Sequence, residues 1–446
     1  MRLREYALLI YALLVCSAPC SATQLTISQP GSYQLGSNFF ATPAAPNDNS
    51  IVIAASNVIL DFNIHSISQI NTTTGFNGVL INSNVHDVII KNGIIQNITG
   101  TGIILTGSNA RIKIIDMSFE NCGAGGLLAN GLTGTINDLD IQRCQFISCG
   151  TTFTNARVAD LQNCQGSRIA DCVFSNAINN GGTATAITMS NCTACDVINT
   201  AVENNANNSG NFVAISQTLN NACGLKGVAV RNNTAALSLT GFLLNEVFGG
   251  IYTACSCIGN INGNASLATT FSGFSIINAT NGFNIFSGCS VISNRASGTI
   301  ANAGFSITGT GNVFLKCISN GLASTGNNSV GYLNIGTGPQ TYVECIGSYN
   351  VSSASATGMI ETNSTNSLIV RSYFGRNIGA TAATSFGYAQ PTTASRISLC
   401  ENVAFNNGTT SANQFLNVAA SATSAVSFNT INATGNAPWT NLGVST

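Results

Sequence analysis

The chain has 446 residues, a formal net charge of −1, and only 7% charged against 44% hydrophobic residues. That balance supplies no basic surface for nucleic acid or an anionic membrane. After the N-terminal segment, no stretch approaches the run of about 18 apolar residues that a spanning helix needs.

In chain order, the first 22 residues have the layout of an export signal. Arg2 and Arg4 form a positive start, residues 7–16 are apolar, and Cys20-Ser-Ala22 offers a small-residue cleavage site. The apolar part is too short for an anchor, so a secreted, cell-surface or periplasmic protein is expected. Residues 23–50 lie outside the repeat described next and are expected to cap it, with two short strands around the Pro30-Gly31 turn.

From residue 51 the sequence repeats itself. Ile141-Gln-Arg-Cys-Gln-Phe-Ile-Ser-Cys149 returns as Ile169-Ala-Asp-Cys-Val-Phe-Ser-Asn176. With Cys144 as position zero, the register runs Asn63, Gly93, Met117, Cys144, Cys172, Thr200, Val228, Cys257, Cys289, Cys317, Cys345 and Ser372, with further turns near Asn402 and Phe428. Spacings of 24 to 32 residues sustained along a chain mean a solenoid. Three columns support it. Three residues before zero stand Ile90, Ile114, Ile141, Ile169, Val197 and Leu225, then Phe286, Phe314, Tyr342 and Ile369. Two after it stand Ile95, Phe119, Phe146, Phe174, Val202 and Val230, and four after it Asn97, Asn121, Asn176, Asn204 and Asn232. Alternating Ile, Val and Phe read as strands. Asparagine tolerates the left-handed backbone of a tight bend, and stacked asparagines can bond to one another along the axis. Coils this short have room for three strands and three bends, with no packing helix.

These rungs resemble the right-handed parallel β-helix, or pectin-lyase-like fold. The resemblance implies an all-β, single-stranded parallel β-helix of about 13–14 coils over residues 51–432, followed by a C-terminal tail at 433–446 in which Trp439 is placed to plug the last coil. The entry coil, Ile51-Val-Ile-Ala-Ala-Ser-Asn-Val-Ile-Leu-Asp-Phe-Asn63, is similar to that of periplasmic β-helix proteins that mature copper sites. Ile64 replaces the glycine usual after that motif, so the bend there must differ. Copper does not carry over, because His65 and His86 are the only histidines.

Fourteen cysteines follow the signal, and most have a partner one coil away in the same column. Stacked parallel strands hold equivalent atoms about 4.8 Å apart, whereas a disulfide wants its Cβ atoms about 3.8 Å apart. A ladder of buried thiols is therefore expected, with disulfides at bends and a metal at Cys192-Thr-Ala-Cys195 as alternatives. The lone C-x-x-C has no second pair at zinc spacing, so no metal or cofactor is assigned.

The few charges also form columns, with signs alternating from coil to coil. Asp87, Arg111 and Asp138 stand six before zero. Lys113, Asp140, Arg168 and Asp196 stand four before it, and Asp116, Arg143 and Asp171 one before it, a slot taken later by Lys316, Glu344 and Arg371. One reading is an ion ladder that fixes coil register. The other is a binding face for a polysaccharide or cell-surface glycan, with Asp138, Asp140, Arg143, Arg168 and Asp171 as its residues. Asp138 and Asp140, two apart on a strand, would stand about 6–7 Å apart, near the separation of inverting glycosidases. Each has a cation in reach, which spoils a general acid. Arg111-Ile-Lys113 matches one polygalacturonase tripeptide, but the other elements of that family are missing. The expectation is a non-catalytic adhesion or glycan-binding protein; the alternative is a lyase or hydrolase of an acidic polysaccharide.

Overall fold

The computed structural model describes residues 24–70, 74–151, 155–263, 270–277, 282–297, 302–325, 328–362, 365–380, 385–390, 398–405 and 407. It also gives the backbone of strands at 11–14, 20–22, 416–418, 425–427 and 430–432. Among these residues there is no helix, and hence none long and apolar enough to cross a membrane. The strands stack in parallel as a right-handed β-solenoid of about 12 turns. Arg2, Arg4, Phe428 and Trp439 lie outside the described residues.

The chain divides into two compact units, residues 1–177 and 178–446. In the first, a coil such as 125–147 contributes one strand, Gly125–Asn130, to a broad sheet. It then adds the pair Asp140–Gln142 and Gln145–Ile147, hinged at Arg143. In the second, Asn211–Thr218 is followed by Gly224–Lys226, Ala229–Arg231 and a third-face strand, Thr234–Ala235.

Position −1 is the hinge in the coils from Asn92 to Glu401. Asn92, Asp116, Arg143 and Asp171 have φ between 51° and 61°, and in the second unit Lys316, Glu344 and Arg371 have φ of 53°, 55° and 48°. A left-handed residue turns the chain between two three-residue strands. Asn and Asp adopt that backbone readily, whereas Arg, Lys and Glu are held there against their preference.

Inside the first unit Phe119, Phe146 and Phe174 stack at 4.7 and 4.4 Å. The second unit carries two aromatic columns meeting edge to face. Phe242, Phe274, Phe305 and Tyr332 form one, and Tyr252, Phe286, Phe314 and Tyr342 the other. Position +5 carries a buried asparagine ladder. The backbone N–H of Asn205, Asn233 and Asn260 donates to the side-chain oxygen of Asn233, Asn260 and Asn294 respectively, at 2.9–3.0 Å. Leu322 interrupts the ladder, and Asn350, Asn377 and Asn407 resume it.

Three expectations are corrected. Val228 stands level with Cys255 rather than Cys257, since Ala229 pairs with Ser256 and Val230 with Cys257. A two-residue slip keeps every side chain on its face, so alternation cannot detect it. The corrected register puts Tyr252 in the −3 column, between Leu225 and Phe286. Second, position zero of the entry coil is level with His65, because Ile94 pairs with Ser66. Asn63 and Ile64 are both left-handed, and Ile64 is 84% exposed, so two residues make the bend that the usual glycine would make. Third, the segment expected outside the register is a coil within it. Leu25 pairs with Ile51, Gly31 with Val58 and Phe39 with Ile67, all in parallel. Irregular spacing and prolines hid that coil from the periodicity.

A glycine column, Gly241, Gly273, Gly304, Gly331 and Gly358, runs along the broad sheet of the second unit. A Cβ on Gly273 would stand 2.4 Å from Val291 Cγ2 and 2.7 Å from the Gly304 carbonyl oxygen. Gly273→Ala is therefore expected to cost about 1–3 kcal/mol by overpacking, read as a lower urea midpoint with an unchanged m-value.

Candidate functional site

In the first unit the charges are paired along each column. Arg111 Nε and Nη2 donate to Asp87 at 2.6 and 2.7 Å, and Arg143 Nε and Nη2 to Asp116 at 2.7 and 2.8 Å. Arg168 Nε and Nη2 donate to Asp140 at 3.1 Å each, while Gln142 donates to Asp140 Oδ2 at 2.6 Å. Asp138 and Asp171 occupy left-handed corners. The field of Asp138 acts on Arg111, and that of Asp171 on both Arg143 and Arg168. The second unit repeats the device: Glu344 lies 3.1 Å from Arg371 and 3.7 Å from Lys316.

The pairing sets the protonation states. Hydrogen bonds from Arg111 and His86 hold the Asp87 carboxyl far below the usual carboxylate range, and those from Arg143 do the same, less strongly, for Asp116. Asp61 loses some of this to burial, but bonds from the Asn63 N–H, Asn92 and Lys91 outweigh it and its carboxyl is also lowered. A folded-state pKa below the unfolded value gives stability that is fully present above the unfolded pKa and is lost as pH falls through the folded one. The urea midpoint of the first unit is expected to decline as pH drops below about 4, and Asp116→Asn should flatten that decline.

The structure gathers part of the face into a groove of about 630 Å³. Asp61, Asn92, Asp116, Ser118, Glu120, Arg143 and Gln145 line it, beside Ile64, Ile94 and Met117. Of the expected site residues only Arg143 reaches the groove. Asp138 and Asp171 lie at neighbouring corners, and Asp140 and Arg168 on strands, of the same sheet. Glu120, which accepts a hydrogen bond from the Ser118 hydroxyl at 2.8 Å, was not legible as a site residue because it belongs to no alternating column. Asp160 was missed as well. Its only trace is that the outward column Leu80, Ile104, Leu128 ends in a carboxylate.

The column supports a direct test of the ladder. Arg143→Glu places a third carboxylate between Asp116 and Asp171. It is expected to lower the urea midpoint, with a loss that shrinks in salt because the pair is exposed and screened. Adding Asp116→Arg and Asp171→Arg inverts the column and is expected to restore the midpoint. Failure of the inverted column to recover would show that these side chains do more than pair.

The fourteen cysteines from Cys122 to Cys400 are thiols rather than disulfides, and all but Cys400 are buried. Several of their thiols donate to backbone carbonyls, as Cys144 does to Gln142 at 3.3 Å and to Ile114 at 3.5 Å. Burial pushes the Cys122 and Cys257 thiols up, away from the reactive thiolate.

No protein-family model matches the sequence, and no curated protein matches it. Solved structures do resemble the chain at low identity. The A-module of a mannuronan C-5 epimerase of Azotobacter vinelandii is 12% identical with a TM-score of 0.37, over 94% of this chain and 92% of that one. A mutant tailspike protein of E. coli bacteriophage HK620, in complex with a pentasaccharide, is 14% identical with a TM-score of 0.46, over 92% and 72%. The catalytic domain of an alpha-1,3-glucanase in complex with nigerose is 11% identical with a TM-score of 0.36, over 91% and 64%. The fold rests on the chain's own strand pairing: parallel strands stacked coil on coil make it a parallel β-helix.

Proposed function

We propose that this chain is an exported β-helix that binds a glycan without cleaving it, using the charged face of its first unit. One observation carries the reading: the groove of about 630 Å³ in which amide, hydroxyl and carboxylate groups stand beside exposed apolar surface. Sugars present that combination, with hydroxyls at the ring edge and C–H groups on its faces. Asp138, Asp140, Arg168 and Asp171 extend the face beyond the groove, and Arg143 joins the two parts. Export rests on the charge and apolar pattern of residues 1–22.

The ion pairs favour binding over catalysis. A general acid has to keep a proton near neutral pH. Asp116 is held below the usual carboxylate range by Arg143, and both oxygens of Asp140 accept from Arg168. The groove lining itself has Asp61, Asp116 and Glu120 against one guanidinium, Arg143. Such an excess of negative charge suits a neutral or amino-bearing glycan better than a polyuronate.

A glycan array paired with reducing-sugar and unsaturated-product assays on the same polysaccharides tests the reading. Binding that drops in Glu120→Ala and Gln145→Ala, with no product released, is the expected result. Turnover lost in Arg143→Lys at unchanged stability would instead make this face the active site of a lyase or hydrolase.

A further inference from the structure

On the broad sheet of the first unit, away from the ion ladder, Asp160 is a buried carboxylate whose hydrogen bonding is incomplete. Its side chain is only 8% exposed. Oδ2 accepts from Arg157 Nη1 at 2.8 Å and from Gln162 Nε2 at 2.7 Å, but Oδ1 is buried and has no partner. A buried acceptor left without a donor is costly, and native proteins fill such positions. Asp160 and Arg157 line a second groove, of about 410 Å³, together with Thr101, Ala124 and Leu128. Leu128 pairs in register with Asp160 and follows Ile104 and Leu80 in one half-buried outward column, which gives the groove an apolar floor.

We infer that this groove is a separate binding site for a neutral sugar residue, recognised through two adjacent hydroxyl groups. Oδ1 requires a donor. The guanidinium of Arg157 already balances the carboxylate charge, so a neutral hydroxyl meets the requirement. Arg157 is about half exposed, with a side-chain exposure of 48%, and has N–H groups left to donate to the neighbouring hydroxyl oxygen. One hydroxyl donates to Asp160 and the next accepts from Arg157, a donor–acceptor pair at the spacing of a vicinal diol. The C–H face of the ring then covers Leu128. The site shares no lining residue with the first groove and does not depend on the glycan reading proposed for it.

The test uses the full chain and three probes, methyl mannopyranoside, methyl glucopyranoside and tetrahydropyran-4-ol, the last keeping a ring and one hydroxyl but no diol. Saturation-transfer NMR gives binding, and the Arg157 side-chain N–H resonance reports its place. At least one pyranoside is expected to bind and move that resonance. Tetrahydropyran-4-ol is expected to bind about tenfold more weakly or worse, the loss of one charge-assisted hydrogen bond. Asp160→Asn should weaken the pyranoside to a similar extent. Ala124→Phe, which leaves the carboxylate in place and fills the groove, should abolish the shift of the Arg157 resonance, and it keeps the test decisive where Asp160→Asn does not fold. Glu120→Ala and Gln145→Ala, on the other face, should leave that shift unchanged. Equal shifts of the Arg157 resonance by the diol and the mono-alcohol, a shift that survives Ala124→Phe in a folded variant, or no shift with either pyranoside overturns the inference. Loss of array binding in the Glu120 and Gln145 variants alone speaks only to the first groove.

Discussion

Phe274→Ala is expected to destabilise the second unit by about 3–5 kcal/mol, the cost of removing a fully buried phenyl ring from a core that cannot close around the gap. Phe274 is 0% exposed and is stacked on both sides, with centroids 4.3 Å from Phe242 and 4.9 Å from Phe305. It also meets Phe286 edge to face at 6.0 Å. The substitution therefore breaks one aromatic column and removes an edge contact from the other, and such pairs contribute about 0.5–1.5 kcal/mol each beyond area burial. In a solenoid each coil leans mainly on its neighbours. Hydrogen exchange should accordingly rise first in the strands Ser238–Asn245, Thr270–Ile277 and Asn302–Ile307. A loss below about 1 kcal/mol, or exchange rising evenly along the unit, would contradict a tightly packed stack.

Asn294→Ala is expected to cost nearly as much, for a different reason. The side-chain oxygen of Asn294 accepts from the Asn260 backbone N–H at 2.9 Å and from Asn260 Nδ2 at 3.0 Å. Its own Nδ2 donates to the carbonyls of Cys257 at 2.9 Å and Ile292 at 3.1 Å. Alanine leaves the buried Asn260 N–H without an acceptor, takes one acceptor from Asn260 Nδ2, which still reaches the Val230 carbonyl at 3.1 Å, and takes a donor from the carbonyls of Cys257 and Ile292. At about 1–3 kcal/mol for the orphaned N–H and about 0.5–1.5 kcal/mol for each further bond lost, a total of roughly 3–5 kcal/mol follows. Asn294→Leu separates hydrogen bonding from volume, since Leu322 occupies the same slot of the next coil and is buried there. The leucine variant should recover only the packing part of the loss in urea denaturation. If it matches the wild type, the ladder is decoration on a core held by volume alone.

The two expectations differ in how much of each was legible. The Phe119, Phe146, Phe174 column could be read from period and alternation, because an inward side chain recurs on every coil and stacking equivalent residues is what a solenoid does. The +4 asparagines were readable as bends for a similar reason, and Asn97, Asn121, Asn176, Asn204 and Asn232 are all left-handed. The buried ladder one residue further on was blurred with them, because a one-residue offset between a bend and a ladder is smaller than the drift of the coil spacings. The −1 charges were placed correctly as columns of alternating sign, yet nothing in their order marked them as left-handed hinges.

By itself the sequence determined the architecture: repeated inward Ile, Val, Phe and Cys at a spacing too short for helices leave parallel coils as the way to bury them. It also determined which charges would meet, since equivalent positions of adjacent coils must be neighbours. Only the tertiary structure decided the level of each coil. A slip of two residues, as between Cys255 and Cys257, changes no side chain's face, and choosing between the two takes the packing of Tyr252 between Leu225 and Phe286. Only the tertiary structure made the grooves. The pocket beside Arg143 and the unfilled oxygen of Asp160 arise where side chains from several coils come together, and no single repeat encodes such a convergence.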